Sequence, residues 1–165
     1  MHADRPPRPD QVYLFGTCLI DLFVPQAGVD AVRLLEREGI TVHYPPAQSC
    51  CGQPAFTSGN PDEARRVAAA QIELFDQPWP IVVPSGSCAG MIRTHYPHLF
   101  DDDDAWRIRA EALAAKTFEL TQFLADVAGI TEVPGDFVGA VTYHDSCAGL
   151  RELGVKRQPR ALLDR

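Results

Sequence analysis

The stretch Ile81-Val82-Val83-Pro84-Ser85-Gly86-Ser87-Cys88 places a strand signal, a turn signal and a cysteine in direct succession. An uninterrupted run of β-branched residues such as residues 81–83 is typical of a strand that is buried on both faces of a parallel sheet. Pro84 and Gly86 then indicate a tight turn, and a helix is expected to follow to about Tyr96. The stretch therefore predicts a strand–turn–helix unit with a thiol near the carboxyl end of the strand.

The same succession of elements recurs along the chain. Three further runs are rich in apolar, β-forming residues: 12–15, 40–43 and 138–143. Helical patterns lie between the strands: about 28–38, 61–75 and 106–127. Strands that alternate with helices predict an α/β fold, here three layers around a mainly parallel, doubly wound sheet.

Each cysteine follows one of the predicted strands. The five are Cys18, Cys50, Cys51, Cys88 and Cys147. The carboxyl ends of parallel strands meet at the edge where open α/β sheets hold ligands, so we expect the five thiols at one rim. An odd number of cysteines argues against a disulfide framework. A bound metal or cluster is favoured over inert buried thiols, and also over thiol–disulfide chemistry, because the sequence has no Cys-x-x-Cys pair.

Thiolates from separate loops suit a soft metal centre, which leaves zinc and iron–sulfur clusters as candidates. Structural zinc usually takes closely spaced Cys-x₂₋₄-Cys ligands, which this sequence lacks. A four-iron cluster tolerates wider spacing because its corners face different loops. Glycines also flank the cysteines, where they allow backbone N–H groups to approach anionic sulfur: Gly16, Gly52, Gly86 and Gly90.

Composition excludes several other functions. The chain has 22 acidic and 15 basic residues and a formal charge of −7, which is unfavourable for binding nucleic acid. No apolar run approaches the roughly 18 residues of a membrane span. The polar, proline-containing residues 1–10 are expected to form a flexible leader rather than a secretory signal. We therefore expect a cytoplasmic protein with a single domain over residues 11–165.

The spacing of four cysteines resembles a known motif. Thirty-one residues separate Cys18 from Cys50-Cys51-Gly52, and thirty-six residues separate Cys51 from Cys88. This is similar to the cysteine-rich CCG motif of the heterodisulfide reductases, of glycolate oxidase iron–sulfur subunits and of the lactate-utilization protein A group. The sequence is most similar to the last group, over about residues 12–163, in three stretches: Gln48–Ala55, Pro84–Cys88 and Tyr143–Gly154.

The resemblance implies an iron–sulfur electron-transfer component of a complex that oxidises a 2-hydroxy acid, L-lactate or glycolate, rather than a stand-alone enzyme. It implies a 4Fe-4S cluster with Cys18, Cys50, Cys51 and Cys88 as metal ligands. Cys147 would be a further cofactor-binding residue that closes the site or begins a second one. The implied partners are the other subunits of the complex, including a ferredoxin-like iron–sulfur protein, and no residue is expected to be catalytic.

Two features depart from the family pattern. Met91 stands where the fuller motif has its last cysteine. The family also has a second half, in which a cysteine like Cys147 is followed by its own Cys-Cys-Gly, and this sequence ends before that point. We therefore expect the amino-terminal half of a two-module pattern, or a single-module version. Two alternatives stay open: a zinc-stabilised structural or docking module, and a thiol-active module like heterodisulfide reductase with Cys51 or Cys88 as nucleophile.

Overall fold

The structure is a computed structural model, and it describes residues 8–133, 135 and 137–164. The strands are β1 (Gln11–Leu14), β2 (Thr41–His43), β3 (Ile81–Val83) and β4 (Thr117–Glu119). The helices are α1 (Cys18–Phe23), α2 (Pro25–Arg37), α3 (Gln53–Thr57), α4 (Pro61–Leu74), α5 (Gly86–Gly90), α6 (Asp104–Ala115), α7 (Leu120–Gln122), α8 (Cys147–Arg151) and α9 (Arg157–Leu163). The π-helical turns Met91–His95 and Phe123–Val127 continue α5 and α7, and Pro97–Phe100 forms a 3₁₀ turn.

The predicted leader falls partly outside the described residues, which begin at Arg8. The Arg8 guanidinium lies 3.4 Å from the Glu38 carboxylate. The carbonyl of Asp10 accepts a hydrogen bond from the Thr41 N–H at 2.8 Å. Residues 8–10 therefore approach the start of β2 and the end of α2.

The strands pair in parallel in the order β2-β1-β3-β4. The chain adds β2 on one side of β1 and then β3 and β4 on the other side, so the sheet is doubly wound. The direction of winding reverses between β1 and β3. Open α/β sheets hold ligands at such a reversal, outside the carboxyl ends of the strands. The loops after β1 and β3 therefore flank the expected crevice.

Alternate residues of the strands face two separate cores, because successive side chains of a strand point to opposite faces. Phe15 and Val83 pack with α4 and α6 on one face. Leu14 and Val82 pack with α2 and α9 on the other. Every side chain of β3 is 0 % exposed, as its β-branched run predicts. The predicted three-layer α/β fold with a parallel sheet is confirmed.

The fourth strand was predicted in the wrong place. Residues 138–143 form no regular structure, and Val138 is 100 % exposed. The position beside β3 belongs to β4, which interrupts the helix predicted over residues 106–127. The reason is hydrogen bonding: buried strand groups need backbone partners, and the Ile81 N–H donates to the Lys116 carbonyl at 2.7 Å. The chain consequently leaves α6 at Ala115 and runs along β3.

Both misleading patterns have a local explanation. A three-residue strand is too short to disturb the helical spacing of the apolar residues in α6 and in the π-helical turn after α7. Residues 138–143 contain β-forming side chains but have no strand beside them. Instead, Val141 and Tyr143 line an open cleft of about 680 Å³ together with Leu120 and Leu162.

The remaining helices begin and end close to the predicted residues. α2 ends at Arg37 and is followed by Gly39, whose φ of +76° is the left-handed conformation that commonly ends a helix. α4 begins at Pro61, in the first turn where proline is favoured. In the part of the chain that the structure describes, no helix combines the length and the apolar character that crossing a membrane requires.

The position of the fourth strand can be tested with one substitution at two sites. Val82→Thr buries a hydroxyl in β3 and should lower the free energy of unfolding by about 1–3 kcal/mol. Val138→Thr changes an exposed side chain and should stay within about 0.5 kcal/mol of the parent protein. Urea denaturation measures both. Equal losses would place residues 138–143 inside the sheet and contradict the assignment of β4.

Candidate metal centre

Four cysteines meet at the crevice between the loops that follow β1 and β3. Cys18 Sγ lies 3.7 Å from Cys50 Sγ, and Cys51 Sγ lies 3.3 Å from Cys88 Sγ. We call these the outer pair and the inner pair, because the outer pair is half-buried whereas Cys51 and Cys88 are only 1 % and 6 % exposed. All four are free thiols. Since Cys50 and Cys51 are adjacent in the chain, the two pairs form one continuous group.

Cys18 is positioned by the start of α1, directly beyond β1. It is the first residue of that helix, and the preceding Thr17 is its N-cap. The fully buried Thr17 hydroxyl accepts a hydrogen bond from the Ile20 N–H at 3.3 Å. Burial, and secondly the contact with Cys50, raise the pKa of the Cys18 thiol. The thiol is therefore held close to Cys50 in its neutral form.

Gln48 anchors the long loop between β2 and α3. Its Oε1 accepts a hydrogen bond from the Gly16 N–H at 2.7 Å, and its Nε2 donates to the Leu14 carbonyl at 3.2 Å. A glycine is required at position 16, because a Cβ there would lie 2.7 Å from the ring of Tyr44. These contacts fasten the loop to the end of β1 and so bring the outer pair together.

Tyr96 and Gly52 fix the inner end of the same loop. The buried Tyr96 hydroxyl donates a hydrogen bond to the Cys51 carbonyl at 2.9 Å. Gly52 then turns the chain into α3 with a φ of +82°, a conformation that favours glycine. A Cβ on Gly52 would also lie 3.3 Å from Cγ1 of Val67 in α4. Cys51 is therefore held from both its carbonyl and its following residue.

Cys88 lies in α5, where its surroundings favour the thiolate. The hydrogen bond with Cys51 is the largest influence, and the hydroxyls of Ser85 and Ser87 add to it. Burial opposes these effects, and the net result lowers the pKa of Cys88 to about 7. The same hydrogen bond, together with burial, raises the pKa of Cys51. The inner pair thus retains one proton between two sulfurs, and holding both as thiolates requires a bound cation.

Cys147 was predicted to follow a strand, and that prediction is wrong. It is the exposed first residue of α8 and follows an irregular segment. Its helix packs on α5 so closely that a Cβ on Gly86 would lie 2.5 Å from Ser146 Oγ and 3.1 Å from Gly149 Cα. Cys147 therefore lies near the start of α5 through helix packing, and it belongs to neither sulfur pair.

The donor set fits a soft, multinuclear centre. Within the described ranges, no three Cys, His, Asp or Glu side chains form a ready site for one metal ion. Met91, at the position of the motif's last cysteine, is fully buried in the core that also contains Cys51 and Cys88. Four thiols in two neighbouring pairs suit a cluster, because each pair can contact a different metal atom.

Two residues that position the cysteines received no role from the sequence. Gln48 lies two residues before Cys50, inside a stretch quoted for the resemblance, so a local signal for it existed. Tyr96 contacts Cys51 across 45 residues of chain, and nothing in its neighbourhood indicates that contact. Asp145 has a structural partner, since its carboxylate accepts hydrogen bonds from the Arg160 guanidinium at 2.7 and 2.8 Å.

The fold and the cysteine arrangement define a cysteine-rich domain. Residues 12–93 match the family described as CCG, cysteine-rich domain. The chain therefore belongs to the family of cysteine-rich CCG-domain proteins.

Among curated proteins, the chain is similar to lactate utilization protein A of several bacteria. It is 49 % identical over 152 residues to the Anoxybacillus flavithermus protein, a match that covers 92 % of this chain and 63 % of the relative. It is 51 % identical over 154 residues to that of an Exiguobacterium species, which covers 92 % and 62 %. The Geobacillus kaustophilus protein is 49 % identical, with 93 % and 64 % covered. The chain thus spans less than two thirds of these relatives, and no solved structure matches it.

The hydrogen bond from Tyr96 gives a direct test of how Cys51 is held. Tyr96→Phe leaves the buried Cys51 carbonyl without this donor, so the free energy of unfolding should fall by about 1–3 kcal/mol. Tyr143→Phe removes a hydroxyl from a more exposed ring and should change it by less than about 0.5 kcal/mol. Urea denaturation of the metal-free proteins measures both values. Identical stability of the Tyr96 variant and its parent would show that this contact does not hold the loop.

Proposed function

We propose that the protein is an iron–sulfur electron-transfer component of a complex that oxidises a 2-hydroxy acid, L-lactate or glycolate. The meeting of four free thiols in two adjacent pairs carries the proposal. Cys18, Cys50, Cys51 and Cys88 would hold a cluster of the 4Fe-4S type. When bound, such a cluster supplies reversible one-electron transfer, and the protein tunes its potential through hydrogen bonds and burial.

The surroundings of the two pairs suit that task in different ways. The inner pair is shielded from water by the core that contains Tyr96 and Met91. The hydroxyls of Ser85 and Ser87 lie beside Cys88 and can donate hydrogen bonds to anionic sulfur. The outer pair is half-exposed, so a partner's redox group can approach the centre from that side. The proposal therefore assigns holding and tuning to the inner pair and electron exchange to the outer pair.

The similarity to lactate utilization protein A supports the choice of a hydroxy acid as the source of electrons. We propose that the hydroxy acid is oxidised on another subunit, and that the partners include a ferredoxin-like iron–sulfur protein. The five free cysteines are typical of a reducing compartment, so we place the complex in the cytoplasm.

Cys147 has a subordinate place in this proposal. It is exposed and separate from both sulfur pairs, so the first cluster would not need it. Its position near the start of α5 leaves it free to ligate a second centre. The variant Cys147→Ser is therefore a matched control for serine substitutions within the pairs.

Anaerobic reconstitution with iron and sulfide tests the cluster. The parent protein and Cys147→Ser should both gain bound iron and a broad visible absorption that dithionite bleaches reversibly. Cys51→Ser and Cys88→Ser should lose most of both, because each removes a ligand of the inner pair. Iron analysis and visible spectroscopy measure the outcome. A colourless parent protein that binds one zinc per chain would instead support the zinc-stabilised module.

The assignment to a complex is tested with the full-length protein in its own cells. A tagged protein should recover a lactate- or glycolate-oxidising activity during anaerobic purification, and the Cys88→Ser form should recover the same subunits without electron transfer to an artificial acceptor. Recovery of neither activity by the parent protein would contradict the assignment. The two substrates, supplied separately, distinguish lactate from glycolate.

A further inference from the structure

The arrangement of the sulfurs also indicates chemistry that requires no metal. Each sulfur of the group has one cysteine neighbour in contact, Cys50 for Cys18 and Cys88 for Cys51. A disulfide would need each pair to approach by roughly 1–2 Å, which small side-chain rotations can supply. In the described part of the chain, Cys147 contacts no other cysteine sulfur. The contacts therefore select two pairings out of the many that five cysteines allow.

We propose that the metal-free site is a two-disulfide redox site, in which a peroxide oxidant links Cys18 to Cys50 and Cys51 to Cys88. The oxidant class is a small hydroperoxide such as hydrogen peroxide, because the inner pair is too buried for a bulky reagent. This inference rests on the positions of the thiols alone and does not depend on the proposed iron–sulfur function.

The reaction balances within each pair. One sulfur attacks a peroxide oxygen and the O–O bond breaks, which gives a sulfenic acid and, with the thiol proton, one water. The neighbouring sulfur then attacks the sulfenic sulfur, and the S–O bond breaks as the leaving hydroxide takes the second thiol proton to form another water. Two thiols lose two electrons, and one peroxide gains them.

The adjacent pair Cys50-Cys51 is a poor competitor for this reaction. A disulfide between neighbouring residues closes a small ring that strains the planar peptide bond between them. The backbone around these residues is also held toward separate partners, by Gln48 on the outer side and by Tyr96 on the inner side. The outer pair should close first because it is half-exposed.

The two disulfides would remove all four sulfur donors of the candidate metal centre at once. Metal coordination needs thiolates, so an oxidised site must be reduced before it can take up metal. The site would then exist in either a metal-binding dithiol form or a metal-free disulfide form.

Thiol counting in the parent protein tests the proposal. Metal-free, fully reduced protein is treated with two equivalents of hydrogen peroxide, denatured, and alkylated with iodoacetamide. The number of alkylated cysteines should fall from five to one, and the remaining one should be Cys147. Loss of the Cys147 thiol, or survival of the other four, would overturn the proposal.

Serine variants establish which sulfurs are joined, because trypsin leaves Cys50 and Cys51 together in the peptide 38–65. After peroxide treatment, Cys50→Ser should link this peptide to peptide 67–93, which contains Cys88. Cys51→Ser should instead link it to the peptide that ends at Arg33, which contains Cys18. Exchanged links in the two variants would refute the pairing. The thiol count of the parent protein stays decisive if a variant fails to fold, and a failed iron reconstitution affects neither readout.

Discussion

Burial of β3 on both faces constrains the rest of the molecule. Its three side chains are 0 % exposed, so both faces must be covered by helices and both edges must find backbone partners. β1 supplies one edge, and residues Thr117–Glu119 supply the other, although their sequence is typical of a helix. The same burial fixes where the chain turns after Val83. Cys88 consequently lies at the carboxyl edge, where the winding of the sheet reverses.

The sheet sets the positions of Cys18 and Cys88, but the Cys50-Cys51 pair depends on a long loop. Two hydrogen bonds from Gln48 fasten that loop to the end of β1, and the Tyr96 hydroxyl holds its inner end. The result is a graded site in which one sulfur pair faces solvent and the other faces the core. Such a gradient suits a centre that must keep its bound group dry and still exchange electrons with a partner.

The electrostatics of the inner pair explain why a bound cation or a disulfide is the stable end state of this group. The hydrogen bond between Cys51 and Cys88 lowers the pKa of one thiol and raises that of the other. Burial makes a second negative charge costly, since little water is present to solvate it. Metal coordination neutralises both charges, and oxidation removes the protons and charges altogether. The same geometry therefore serves both proposals.

Local patterns determined a large part of this protein. The β-branched run of β3, the strands β1 and β2, the helices α2 and α4 and the cysteine spacing that identifies the family are all visible in short stretches of sequence. Only the tertiary structure decided that residues 117–119 form β4, that residues 138–143 do not, and that Cys147 reaches the site edge on a helix. It also decided the pairing of the sulfurs and the roles of Gln48 and Tyr96. Each of these depends on backbone or side-chain contacts between residues that lie far apart in sequence, and no periodicity or spacing within one segment encodes such a contact.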